Sequence, residues 1–122
     1  MHRRLTPAIH LAVIYGSSRE GRLCDKIAGW TLAQVEGEGP FSVEAVDPAA
    51  HDLAEVKARL GRADAFIVVT PEYNRSFPAP LKAIIDDTGS EWRGKPVAFV
   101  SYGGVSGGLR AVEQLRLVFA EL

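Results

Sequence analysis

The chain has 122 residues, 47% of them hydrophobic and 24% charged, with a formal net charge of −1, which fits one small domain over residues 1–122 around one core. The near-neutral charge gives no broad pull toward nucleic acid, no apolar run approaches the ~20 residues that span a bilayer, and the lone cysteine, Cys24, excludes an internal disulfide and gives no zinc spacing. The start lacks a signal-peptide pattern, so the expected location is cytoplasmic, and His2, Arg3 and Arg4 read as a chain terminus rather than a binding arm. The run from Ile9 to Tyr15 is nearly all apolar and β-branched, which predicts a buried parallel strand. Leu23, Ile27, Trp30 and Val35 at helical spacing predict a helix over 22–36, ended by Gly37, Gly39 and Pro40. Phe41 to Val46 alternates like an edge strand and is broken by Asp47-Pro48. Leu53, Val56 and Leu60 predict a short helix before Gly61. Ala65 to Val69 is a second strongly buried strand. Pro78 opens a helix with Leu81, Ile84 and Ile85 on its apolar face, and Gly89 stops it. Val97 to Val100 is a fourth strand, and Leu109, Val112, Leu115, Phe119 and Leu122 mark a last helix.

Strands alternating with helices predict an α/β fold, a doubly wound parallel sheet of about four strands in spatial order 2-1-3-4, with helices on both faces. Ligands of such sheets sit outside the carboxyl ends of the strands, where the strand order reverses. Three polar loops leave strands toward that edge: Gly16–Arg22, Thr70–Pro78 and Ser101–Gly108. Their chemistry suits a ligand with a phosphate at one end and a flat polar ring at the other.

In the first loop, Ser17 offers a hydroxyl, Arg19 and Arg22 offer guanidinium groups, and the following helix start offers free N–H groups. The loop is neither a nucleoside-triphosphate P-loop nor a dinucleotide fingerprint, and its bland alternative is an ordinary serine-capped turn. Cys24, in the first turn of the helix, reads as a small packing residue and Asp25 as a dipole-complementing charge. In the second loop, Pro71 and Pro78 bracket a rigid polar segment in which Tyr73 presents a ring and Asn74 both a donor and an acceptor. Glu72 is an acid or base on one reading and a backbone-fixing carboxylate on the other; Arg75 meets an anionic substrate or only solvent. In the third loop, Gly103, Gly104, Gly107 and Gly108 let backbone approach a flat ligand, beside Ser101, Tyr102 and Ser106. His10 and His51 lie away from these loops and read as structural. No Ser-His-Asp set, metal cluster or carboxylate pair emerges, so no catalytic side chain is assigned and a bound cofactor would carry the chemistry.

These residues resemble the NADPH-dependent FMN reductase family of flavodoxin-like proteins, which also includes quinone, chromate and azo-dye reductases. The matches are Gly-Ser-Ser-Arg at 16–19, Thr-Pro-Glu-Tyr-Asn-Arg-Ser-Phe-Pro at 70–78, Leu81-Lys82 with Ile85-Asp86, Glu91-Trp92-Arg93-Gly94-Lys95-Pro96, and Ser101-Tyr102-Gly103-Gly104 running into Gly107-Gly108-Leu109-Arg110. The resemblance implies that Ser17, Arg19 and the helix start hold the FMN phosphate. It implies that Pro71, Glu72, Tyr73 and Asn74 flank the ribityl chain and ring, and that Ser101, Tyr102 and Gly103 meet the ring's polar edge. Hydride would pass from NADPH to the flavin, and from there to a small-molecule electron acceptor. Three departures stand out: a short stretch between Val46 and Asp64, no fifth strand and last helix within the 122 residues, and Asp87 where the family commonly has an aromatic. An electron-carrying flavodoxin and a non-catalytic shortened homologue acting as a partner subunit stay open as alternatives. The uncovered edge of the fourth strand predicts a homo-oligomer, a twofold dimer.

Overall fold

The computed structural model describes residues 8–122; the basic start at His2, Arg3 and Arg4 lies outside them. Along the chain come β1 (Ile9–Tyr15), α1 (Cys24–Glu36), β2 (Phe41–Val46), α2 (Leu53–Arg62), β3 (Ala65–Pro71), α3 (Ala79–Asp86), a 3-10 turn (Ser90–Trp92), β4 (Val97–Tyr102) and α4 (Leu109–Ala120). The four strands form one sheet in the order β2-β1-β3-β4, and every neighbouring pair is parallel. The predicted topology therefore holds, and its switch point lies between β1 and β3, because the chain leaves β1 first to one side and then crosses to the other.

Strand alternation splits the core into two layers. Ala12, Ile14, Phe66 and Val68 point to one face, where Val56 and Leu60 of α2, Leu81, Ile84 and Ile85 of α3, Leu115 of α4 and Trp92 bury against them. Each such large side chain contributes about 1.5–3 kcal/mol by leaving water. Val13 and Val69 point to the other face, where Cys24 and Ala28 of α1 cover them. On α1 the residues that bury are Cys24, Ala28 and Thr31, while Leu23 and Trp30 are 51% and 58% exposed. The predicted face is thus rotated: small residues let the helix lie close on β1 and β3, and Trp30 is left outside. Cys24 is the packing residue expected of it, fully buried.

Glu44 ties the β1–β2 edge to α2. Its carboxylate accepts from Arg62 (Nε, 2.7 Å), and it pairs with Arg59 at 3.3 Å and His10 Nε2 at 2.9 Å. The Arg62 guanidinium above all holds the acid down at about 2, against an ordinary 4.5. A depressed folded value means that ionised Glu44 stabilises the fold above its unfolded pKa and that this contribution fades as pH falls toward about 2. Glu44→Gln is therefore expected to flatten the loss of stability between about pH 5 and about pH 3, read as urea midpoints across that range. An unchanged slope would show that other carboxylates carry it.

Candidate functional site

The chain leaves β1 at Gly16, whose amide donates to the Val69 carbonyl at 2.8 Å. A Cβ there would lie 2.7 Å from that same carbonyl oxygen, so only glycine fits. Ser17 is turned inward, 1% exposed, and its Oγ lies 3.0 Å from the Tyr73 hydroxyl. That bond spans the switch point and joins the first loop to the second. The Arg19 guanidinium lies over the Tyr73 ring, 4.7 Å from its centroid, and the Arg19 amide donates to Ser17 Oγ at 3.3 Å. No side chain caps the start of α1, which leaves its first N–H groups open to an anion.

Arg22 is engaged differently. It donates to Asp47 at 2.7 Å, to Asp25 at 2.9 Å and to the Ser17 carbonyl, and its side chain is only 7% exposed. Bonding to Asp47 above all raises its affinity for its proton. Burial pushes the Asp47 carboxyl up, but Arg22 and the Ala49 amide outweigh burial and hold it below its usual value. Asp47 in turn donates its amide to His51 Nδ1 at 3.0 Å, so His51 braces the turn after β2. The guanidinium of Arg22 thus holds the back of the first loop to the β2 end.

The second loop is a tight two-residue turn. Tyr73 and Ser76 exchange both backbone hydrogen bonds at 2.9 Å, and Asn74 and Arg75 between them have φ of 50° and 67°. The left-handed region costs a non-glycine residue about 1–2 kcal/mol, and such strain concentrates where a site needs a fixed shape. Gln114 of α4 supports the turn from below, donating to the Arg75 carbonyl at 3.1 Å. Pro71 closes β3 and is buried, whereas Asn74 and Arg75 are exposed at the rim.

The strands run further than their apolar cores suggested. Thr70 pairs with Ser101 and Pro71 with Tyr102, so Ser101 and Tyr102 belong to β4 and the third loop begins at Gly103. Ser101 Oγ donates to the Gly107 carbonyl at 2.8 Å, closing that loop at its base. Tyr102 points to the α1 face beside Cys24; burial, then the neighbouring Cys24, pushes its hydroxyl well above its usual range. Gly104, Val105 and Ser106 form the exposed crest, and Val105 is wholly exposed.

Glu72 faces the start of α4. One carboxylate oxygen accepts from the amides of Arg110 and Ala111 at 2.8 and 3.2 Å, and the other accepts from Arg110 Nε at 2.8 Å. Arg110 above all lowers its pKa. Of the two readings of Glu72, the backbone-fixing one describes these contacts. Arg110 and Gln114, which do this tying, were not among the predicted site residues.

The three loops therefore form one linked shelf on the carboxyl edge of the sheet. Two hollows lie elsewhere: about 380 Å³ lined by Phe66, Trp92, Lys95, Val97, Phe119 and Leu122, and about 590 Å³ between Val97, Phe99, Val112, Arg116 and Phe119. Val97 of β4 and Phe119 of α4 line both. Among the described residues, no group of three or more His, Cys, Asp or Glu could hold a metal ion.

Comparison with known proteins bears on the family and the fold. The family model for NADPH-dependent FMN reductase matches residues 9–122. An NAD(P)H-dependent FMN reductase of Schizosaccharomyces pombe is 37% identical over 126 residues, covering 86% of this chain and 62% of the relative. A quinone reductase of Pseudomonas putida is 36% identical over 132 residues, covering 92% of this chain and 71% of the relative. The chain thus spans less than two thirds of the first relative's length. A crystal structure of the apo form of an NADH:FMN oxidoreductase superposes with a TM-score of 0.81 at 24% identity, covering 92% of this chain and 68% of that one, and it bears on the fold alone. The chain is flavodoxin-like in fold and belongs to the NADPH-dependent FMN reductase family.

Proposed function

We propose that this chain binds FMN and acts as an NAD(P)H-dependent oxidoreductase toward a small-molecule electron acceptor. The observation that carries the reading is the Ser17–Tyr73 hydrogen bond, with Arg19 stacked on the same ring, across the switch point of the sheet. It puts a cation and an uncapped helix start next to an aromatic, amide-bearing turn, and so joins a phosphate end to a ring end. The residues fit FMN. Arg19 and the first amides of α1 supply donors for a phosphate, with Ser17 joining their loop to Tyr73 and Arg22 bracing the loop from behind. Pro71, Tyr73 and Asn74 wall the middle. Beside them Gly103 and Gly104, with Ser101, Tyr102 and Ser106, present a rim of backbone that a flat ring's polar edge would meet; a Cβ on Gly104 would touch nothing within 4 Å. When bound, FMN supplies hydride acceptance and onward electron transfer. The side chains bind and orient, and none is asked to shuttle a proton, since both oxygens of Glu72 are already occupied.

The quinone reductase among the relatives favours a quinone-class acceptor. No described helix is long and apolar enough to cross a membrane, and the cytoplasm, where NADPH is abundant, is the proposed location. The proposed assembly is a homodimer through the edge of β4 and the adjoining α4 face, supported by the two hollows that Val97 of β4 and Phe119 of α4 line together. Light scattering at several concentrations is expected to return twice the chain mass, and a monomer at all concentrations would overturn it.

The test of function is spectroscopic. Purified protein is titrated with FMN, and NADPH is then added without oxygen. Rapid bleaching of bound flavin is the expected result. Bound flavin that stays oxidised would point to an electron carrier, and no binding at micromolar FMN would point to a non-catalytic partner subunit.

A further inference from the structure

The proposed function leaves one buried charge without a task. Glu72 has an 8% exposed side chain, and a carboxylate offers about four acceptor positions. All are taken: two by the amides of Arg110 and Ala111, two by the Arg110 guanidinium. It does for α4 what an N-cap does, but from the loop that follows β3. The cap position of α4 is Gly108, which has no side chain to offer and a φ of 89°. An arginine in the first turn of a helix opposes the helix dipole, so Arg110 needs this acid.

The same carboxylate sits under the third loop. A Cβ on Gly103 would lie 3.7 Å from Glu72 Cβ and 3.2 Å from the Gly108 amide. Gly103 therefore threads between the Glu72 stem and the start of α4, and the crest at Gly104 to Ser106 hangs from that point. Tyr73 and Asn74, which follow Glu72 in the chain, form the facing wall.

We propose that Glu72 is a positioning residue that fixes the gap between the second and third loops, and that its pairing with Arg110 cancels a guanidinium charge beside the ring end of the ligand. The proposal rests on the FMN reading above for its second half only. With its acceptor positions taken by the start of α4, Glu72 acts through Arg110 and Gly103.

Two measurements test it. The first uses the protein without flavin. Amide hydrogen exchange over Gly103–Ala111 is expected to quicken about tenfold or more in Glu72→Ala, because two amides lose a charged acceptor. If that variant does not fold, Glu72→Gln is measured in its place, with a smaller increase confined to the same amides. Unchanged exchange overturns the positioning role. The second measurement is the midpoint potential of bound FMN at low salt. Reduced flavin carries extra negative charge. Glu72→Gln leaves the Arg110 charge uncancelled and is expected to raise the potential. Arg110→Met leaves the Glu72 charge uncancelled and is expected to lower it, and the double variant is expected to return near the wild-type value. A purely structural pair would move both single variants the same way or neither, and that result overturns the charge cancellation. If wild-type protein binds no FMN, the functional reading fails on its own, while the exchange experiment still decides whether Glu72 sets the loops.

Discussion

Arg19→Ala is expected to weaken FMN binding at least tenfold while changing riboflavin binding by no more than a few-fold. Two separate interactions are lost with the guanidinium. Its contact with the Tyr73 ring, 4.7 Å to the centroid, is an exposed cation–π contact worth about 0.5–1 kcal/mol, and losing it loosens the turn for either ligand. A charge-assisted bond to a phosphate is worth about 1.5–3 kcal/mol and exists only for FMN. The second effect exceeds the first, so the ratio of the two affinities must move. Ser17→Ala offers the contrast. It leaves the Tyr73 hydroxyl without its partner at 3.0 Å and should weaken both ligands alike, because what it disturbs is the joint between loops. Fluorescence titration of each ligand against each variant gives the four affinities. Equal losses for FMN and riboflavin in Arg19→Ala would make Arg19 a structural residue and would remove the phosphate end from the proposed site.

The strand order was legible because Ile9–Tyr15 and Ala65–Val69 are long β-branched runs that only a doubly covered position accommodates, and right-handed crossovers leave few topologies for the rest. The ends of β3 and β4 were not. Thr70, Pro71, Ser101 and Tyr102 look like loop residues one at a time and become strand only because they pair with each other. The face of α1 was misjudged because Cys24, Ala28 and Thr31 are small or polar and carry little hydrophobic signal, whereas Leu23 and Trp30 carry much and yet lie outside. Gly61 was expected to end α2, which runs one residue past it to Arg62.

At the site, the three loops could be read from composition, but the bonds between them could not. Ser17–Tyr73 and Glu72–Arg110 join residues 56 and 38 positions apart, and no local pattern encodes such separations. One hint was present. Arg110 stands in the first turn of a helix, where a cation is unfavourable, and so implies an acid nearby. Arg22 shows the opposite case. Its position beside a candidate phosphate loop suggested a grip on the ligand, and nothing local announced that Asp47, across the sheet edge, would engage it.

The glycines of the third loop separate folding from binding. Gly108→Ala is expected to destabilise the chain by about 2–5 kcal/mol, the sum of a left-handed conformation, about 1–2 kcal/mol, and forced overpacking, about 1–3 kcal/mol. Its φ is 89°, and a Cβ would lie 2.7 Å from Ser101 Cβ and 3.0 Å from both the amide and the carbonyl oxygen of Tyr102. Two of those neighbours are backbone atoms held in β4, so they cannot rotate away. Gly104→Ala introduces the same methyl four residues earlier into open space, with nothing within 4 Å and no positive φ to maintain. Its stability should stay within about 0.5 kcal/mol of wild type. The two variants should then part company on flavin. In Gly108→Ala, what binding remains should track the folded fraction. In Gly104→Ala, the fully folded protein should bind FMN and riboflavin more weakly by the same factor, because the methyl stands where the ring's polar edge is proposed to meet bare backbone. Denaturation midpoints and flavin titrations on the same samples resolve the two effects. A Gly104→Ala variant that binds both flavins as tightly as wild type would place the ring away from this crest.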